Sequence, residues 1–271
     1  LYTFRVSGVN GDGTSDPSAT ATAVPISQHT PNDLAVFDAC PASLITSAGF
    51  DDTNSPDVAC IKHYGITTGT TATTFSPIDS VTRWQMALFL TRMVGPGGGV
   101  LPSGADQGFT DISGKDAEQQ LAINQLKQLG ITVGTDTAGV LYSPDTNVTR
   151  AQMALFLERM ADNLSSGPGG TSDADGALAT DASTTYINSN CELAADDGGV
   201  KTCTGLYNYA DVDSGSITVD ASLAAKELFV LGVHDGYGTT FDPTADMTRA
   251  AMATFMNALL DHSNLRPEGL H

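Results

Sequence analysis

Three of the chain's seven arginines stand at one point of a recurring string. The string reads Val81-Thr82-Arg83-Trp84-Gln85-Met86-Ala87-Leu88-Phe89-Leu90. It returns as Val148-Thr149-Arg150-Ala151-Gln152-Met153-Ala154-Leu155-Phe156-Leu157. It returns again as Met247-Thr248-Arg249-Ala250-Ala251-Met252-Ala253-Thr254-Phe255-Met256. Each string reads as a helix whose first residue is the arginine. A cation there opposes the helix dipole, at a cost of about 0.3–1 kcal/mol. A guanidinium beside the amides of a helix start offers a bidentate fork to a carboxylate or a phosphate. Each unit therefore carries the parts of one candidate anion site, with its arginine as the contact. The alternative is an internal pair with a carboxylate such as Asp52, Asp111 or Asp211.

The positioning elements can be read around these strings. Thr82 and Thr149 are N-caps, and Gln85 and Gln152 three residues on complete a capping box. Thr248 lacks that partner, because Ala251 stands in its place. Met86, Phe89, Leu90 and Met93 recur at i, i+3, i+4 and i+7, which makes them a core face. The same face recurs as Met153, Phe156, Leu157 and Met160, and as Met252, Phe255, Met256 and Leu259. Ahead of each string lies an aromatic-x-Pro turn: Phe75-Ser76-Pro77, Tyr142-Ser143-Pro144 and Phe241-Asp242-Pro243. Ahead of that comes glycine with a β-branched residue and a second glycine: Gly65-Ile66 with Gly69, Gly130-Ile131 with Gly134, Gly232-Val233 with Gly236. Earlier still lies an aromatic-x-Asp: Phe50 with Asp52, Phe109 with Asp111, Tyr209 with Asp211. Landmarks kept in one order three times define internal repeats. Each unit reads as helix, glycine loop, proline turn, helix. Arg92 and Arg159 recur in two units and read as surface ion pairs or inter-unit contacts.

The predicted fold is mainly α, three helix-loop-helix repeats behind a short N-terminal β-hairpin. Residues 1–27 supply the hairpin, 36–94 the first repeat and 95–108 a Gly/Pro linker. Residues 109–162 form the second repeat, 163–190 a flexible linker and 191–262 the third repeat. Tyr2, Phe4, Val6 and Val9, the turn Gly11-Asp12-Gly13 and the strand Ala19–Val24 resemble the last two strands of a fibronectin type III domain. That resemblance implies that the rest of such a module lies upstream, or that the hairpin completes a neighbour's sheet.

The formal net charge is −19, which argues against nucleic acid and against an anionic membrane surface as partners. No run approaches the roughly 18 apolar residues of a membrane span. Cys40, Cys60, Cys191 and Cys203 lack metal-like spacing. Local bridges Cys40–Cys60 and Cys191–Cys203 are the simplest pairing and imply an oxidising, extracellular compartment; four buried thiols are the alternative. Asp173, Asp175 and Gly176, and Asp211 with Asp213, hint at calcium but lack the full ligand loop, so no cofactor is expected. No nucleophile elbow, zinc-protease helix or phosphate loop occurs. His63, His234 and His262 are isolated. The expectation is a protein that is not an enzyme, with no catalytic residue; any chemistry of a parent protein would lie upstream of residue 1.

The order aromatic-x-Asp, Gly-Ile-Thr-x-Gly, Phe-x-Pro, Val-Thr-Arg-Ala-Gln-Met-Ala resembles the S-layer homology domain over residues 36–261. The resemblance implies three repeats in a pseudo-trimeric bundle. It implies noncovalent attachment of a secreted surface protein to a secondary cell-wall polysaccharide, often through pyruvylated sugars. Such a protein sits outside the cell, in the wall or surface layer. The implied ligand contacts are Arg83, Arg150 and Arg249, with Thr82, Thr149 and Thr248 beside them. Trp84 stands where the family usually has alanine; it either stacks on a sugar face or caps the core. The motif's usual glutamate is Gln85, Gln152 and Ala251 here. Self-association in a surface lattice or filament is the alternative function.

Overall fold

A computed structural model describes residues 47–161 continuously. It also describes 163, 164, 209–212, 215–230, 233, 234 and 240–261, together with Ala39, Cys40, Ile45 and four short strands between residues 2 and 23. The bridge expected between Cys191 and Cys203 lies outside these residues. So do Asp173, Asp175, Gly176 and Asp213, and most of the linker 163–190.

The strands are β1 (Tyr2–Phe4), β2 (Val9–Asn10), β3 (Gly13–Thr14) and β4 (Ala21–Ala23). β1 pairs antiparallel with β4, and β2 with β3. Six helices follow among the described residues: α1 (Pro56–His63), α2 (Arg83–Val94), α3 (Ala117–Gln128), α4 (Arg150–Ala161), α5 (Val219–Val230) and α6 (Arg249–Asp261). The protein is mainly helical among the described residues.

Local signals set the helix ends. Ser55 caps α1 and Pro56 opens it, a position where the missing N–H costs nothing. The glycine and β-branched pairs are helix stops. Gly65, at φ 71°, donates to Lys62 O (3.0 Å), and Ile66 donates to Ile61 O (2.8 Å). Gly130 and Ile131 repeat this on Lys127 O (3.1 Å) and Leu126 O (3.0 Å). This is the Schellman arrangement, in which glycine supplies the left-handed residue and the next apolar residue folds back on the helix. Ile61 and Ile66 are both fully buried.

The Met and Phe stripes form the core as expected. Met86, Leu90, Met93, Met153, Leu157, Met160, Met252, Phe255, Met256 and Leu259 are all 0 % exposed. Burying one such side chain contributes about 1.5–3 kcal/mol. Packing is by exchange between units: α2 lies against α3, α4 against α5, and α6 returns to α1. The second helix of each unit thus pairs with the first helix of the next.

Backbone hydrogen bonds close the same cycle. Val81 N donates to Met247 O, Met247 N to Val148 O, and Val148 N to Val81 O, each at 2.8 Å. All three residues are fully buried, where an unpaired amide would be costly. Ser80–Thr248, Thr82–Asn147 and Thr149–Asp246 add antiparallel bridges around this triangle. Cys40 is bonded to Cys60, so the start of the first unit is tied to α1. In the loop-entropy account a bridge of this span contributes about 3 kcal/mol.

Candidate functional site between units

The aromatic-x-Pro turn is built around its own aspartate. Asp52 accepts from Phe75 N (2.8 Å) and Ser76 N (2.7 Å). Asp111 accepts from Tyr142 N (2.9 Å) and Ser143 N (2.7 Å). Asp211 accepts from Phe241 N (2.9 Å) and Asp242 N (2.8 Å). These bonds hold Ser76, Ser143 and Asp242 at φ 58°, 56° and 54°. A left-handed non-glycine residue costs about 1–3 kcal/mol, and the residue before proline normally prefers extended backbone. Charge-assisted bonds to two successive amides offset that cost.

The turn aims the aromatic residue's carbonyl at the arginine of another unit. Arg83 Nε donates to Tyr142 O (2.6 Å), Arg150 Nε to Phe241 O (2.5 Å) and Arg249 Nε to Phe75 O (2.6 Å). Each guanidinium also lies against two rings of that unit. Arg83 is 4.7 Å from the Tyr142 centroid and 5.2 Å from Phe156. Arg150 is 4.9 Å from Phe241 and 5.5 Å from Phe255. Arg249 is 4.6 Å from Phe75 and 5.3 Å from Phe89. Tyr142 returns its hydroxyl to Arg83 O (2.8 Å).

Three features differ from the sequence reading. The amides at the helix starts are occupied. Arg83 N and Trp84 N donate to Thr146 O and Pro144 O, Arg150 N and Ala151 N to Ala245 O and Pro243 O, and Arg249 N and Ala250 N to Asp79 O and Pro77 O. The helix ends are therefore docking points for the next unit's turn, not open anion receptors. The aspartates do not form ion pairs with Arg83 or Arg249; they hold the turns. Asp211, considered for calcium, is used in the same way. Finally, the candidate sites at Arg83 and Arg249 are assembled by more than one unit, not carried by one.

Two clefts show this assembly. A cleft of about 500 Å³ lies between Arg83 of the first unit and the Thr132–Thr135 loop and α4 of the second, with Ser216–Thr218 closing it. A cleft of about 290 Å³ lies between Arg249 of the third unit and the Thr67–Thr70 loop and α2 of the first. The corresponding loop of the third unit lies outside the described residues. Arg83 and Trp84 are adjacent in sequence yet line different clefts. Thr149 lines the larger cleft, and its Oγ1 accepts from Gln152 N (3.3 Å). Thr82 and Thr248 line neither cleft. Thr248 Oγ1 accepts from Ala251 N (3.2 Å), whereas Thr82 Oγ1 is buried without a partner.

The electrostatics are of buried cations. Arg83 and Arg249 are 4 % and 3 % exposed. Burial pulls both guanidinium pKa values down; Tyr142 and Asp111 oppose this at Arg83, Asp79 and Asp52 at Arg249. Neither has a carboxylate within 4.0 Å among the described residues. Arg92 and Arg159 supply a second guanidinium to the smaller and larger cleft. Arg92 pairs with Glu118 of the next unit (2.6 Å), and Arg159 Nη1 donates to Ile131 O (3.2 Å).

Asp52 makes the turn sensitive to acid. Its carboxyl is held below the usual range, first by Phe75 N–H, with burial opposing and Ser76 N–H and Arg249 assisting. A folded pKa below the unfolded value means that its stabilisation is full above about pH 4 and is lost as pH falls through the lowered value. The melting temperature of the wild type should therefore exceed that of Asp52→Asn at neutral pH, and the gap should close as pH falls below about 4. A gap that stays constant as pH falls would contradict this role.

Two lysines were not singled out by the sequence reading. Lys62 Nζ stands 3.8 Å from the Phe50 ring and Lys127 Nζ 4.2 Å from the Phe109 ring. Both lie three residues before the stop glycine. The third unit has Phe229 there, edge-on to Tyr209 at 5.4 Å. The available signal was their common offset from that glycine.

Residues 108–154 match the family described as the S-layer homology domain. The protein is thus one that carries an S-layer homology domain, and it is associated with the cell surface or cell wall. Among curated proteins, the chain is similar to a protein named endoglucanase from Bacillus sp. (strain KSM-635), at 30% identity over 209 residues. The match covers 76% of this chain and 17% of that protein, so the chain spans only a small part of this relative's length. This similarity corrects the expectation of a protein that is not an enzyme. No helix among the described residues is long and apolar enough to cross a membrane.

Proposed function

We propose that the clefts between units bind an anionic secondary polymer of the cell wall and hold a larger surface protein there. A pyruvylated sugar is the acidic group we assign to that polymer. The units act as three S-layer homology repeats in a pseudo-trimeric bundle, with Arg83, Arg150 and Arg249 as contacts. The relative's name points to glycoside hydrolysis as the activity of the larger protein. The observation that carries the binding proposal is the pair Arg83 and Arg159 in one open cleft, neither with a carboxylate within 4.0 Å among the described residues of this acidic chain. A buried guanidinium without a counter-ion is costly. An incoming carboxylate accepts from its terminal nitrogens while Nε stays on the Tyr142 carbonyl.

Sedimentation with purified sacculi tests this reading. The chain should pellet with intact sacculi, release as ionic strength rises, and stay in solution once the acidic polymer is stripped. Equal pelleting with stripped walls would refute it. Pelleting without any wall material would favour self-association in a surface layer.

A further inference from the structure

The two clefts are not equivalent, and the difference lies in Trp84. This is the only tryptophan of the chain. Its equivalents in the other units are Ala151 and Ala250. The side chain is half-buried: one part packs on the core, the rest lines the smaller cleft beside Thr68, Thr70, Gln85, Arg92 and Arg249. Its backbone N–H is used by Pro144 O, but its indole N–H makes no hydrogen bond among the described residues. Tryptophan placed wholly for packing normally finds a partner for that N–H or turns it to water beside an apolar body. Here the body faces a cleft lined by Thr68, Thr70 and Gln85 as well as Leu88 and Phe89, and Lys115 Nζ stands 5.9 Å from its ring centroid.

One of this cleft's two arginines is answered from within: Arg92 is paired with Glu118. In the larger cleft Arg159 is bonded only to a carbonyl, and Ala151 leaves the floor open. A cleft with a paired arginine, an aromatic wall and several hydroxyls suits an apolar sugar face edged by hydroxyl groups. We propose that the smaller cleft binds an uncharged pyranose unit of the wall polymer by stacking on Trp84, while the larger cleft takes the acidic unit. This rests on the polymer-binding reading above and divides its labour between the clefts.

The sole tryptophan makes the test direct. Wall polymer released from sacculi is split by anion exchange into neutral and acidic fragments. The neutral fraction should quench and blue-shift the tryptophan emission of the wild type. Trp84→Phe should keep most of the affinity for that fraction, and Trp84→Ala should lose at least about tenfold while still pelleting with whole sacculi. Alanine already occupies this position in the other units, so Trp84→Ala should fold, which its melting curve will show. Emission unmoved by saturating neutral fraction, or equal binding of that fraction by Trp84→Ala, would overturn the proposal. Failure of the wild type to bind sacculi at all would instead refute the polymer reading beneath it.

Discussion

Asp111→Ala is expected to destabilise the protein by about 3 kcal/mol, because two hydrogen bonds to a charged group are lost together. The bonds are those from Tyr142 N and Ser143 N. Without them nothing offsets the left-handed backbone of Ser143 ahead of Pro144. Tyr142 would then swing, and its carbonyl would leave Arg83 Nε. Arg83 is buried, so an Nε without an acceptor adds a further cost. The effect therefore crosses from the second unit to the first. In thermal melting, a drop of roughly 6–12 °C is expected for a protein of this size. Asp111→Asn should cost less, since one carbonyl oxygen can still accept. A drop under about 2 °C for the alanine variant would show that the turn holds its shape without the carboxylate.

Much of each unit was legible in the sequence because its signals are local. The spacing Met86, Phe89, Leu90, Met93 marks a buried face without any knowledge of the partner. Gly65-Ile66 and Gly130-Ile131 mark helix ends by backbone chemistry alone. The arginines were visible as anomalies, because a cation at a helix start opposes the dipole. Their partners were not visible. Tyr142 is 59 residues from Arg83, Phe241 is 91 from Arg150, and Phe75 is 174 from Arg249. No periodicity encodes which unit a turn will face. The sequence reading therefore placed each site within one unit, whereas closure of the cycle divides the described clefts among two or three. The aspartates were misjudged for a related reason. Asp52 and Asp111 looked like counter-charges to the arginines, but the bonds they accept come from the turn amides, and they act on Arg249 and Arg83 from a distance.

Nε and the flat face of each guanidinium hold the next unit's turn and rings. Arg83 and Arg249 also line the clefts, and in the proposed binding their terminal nitrogens contact the polymer. Lysine could keep the charge at these positions, but it has no second edge to offer. Arg83→Lys, Arg150→Lys and Arg249→Lys combined should therefore weaken wall binding at least about tenfold for each cleft in use. Where several clefts act on one polymer, the loss multiplies.

Sedimentation of this triple lysine variant with intact sacculi, at a temperature where its melting curve shows it folded, tests the shared-arginine site most directly. The variant should remain in the supernatant under conditions in which the wild type pellets. Pelleting equal to the wild type would mean that the guanidinium forks serve only to join the units, and that the wall is held by some other surface.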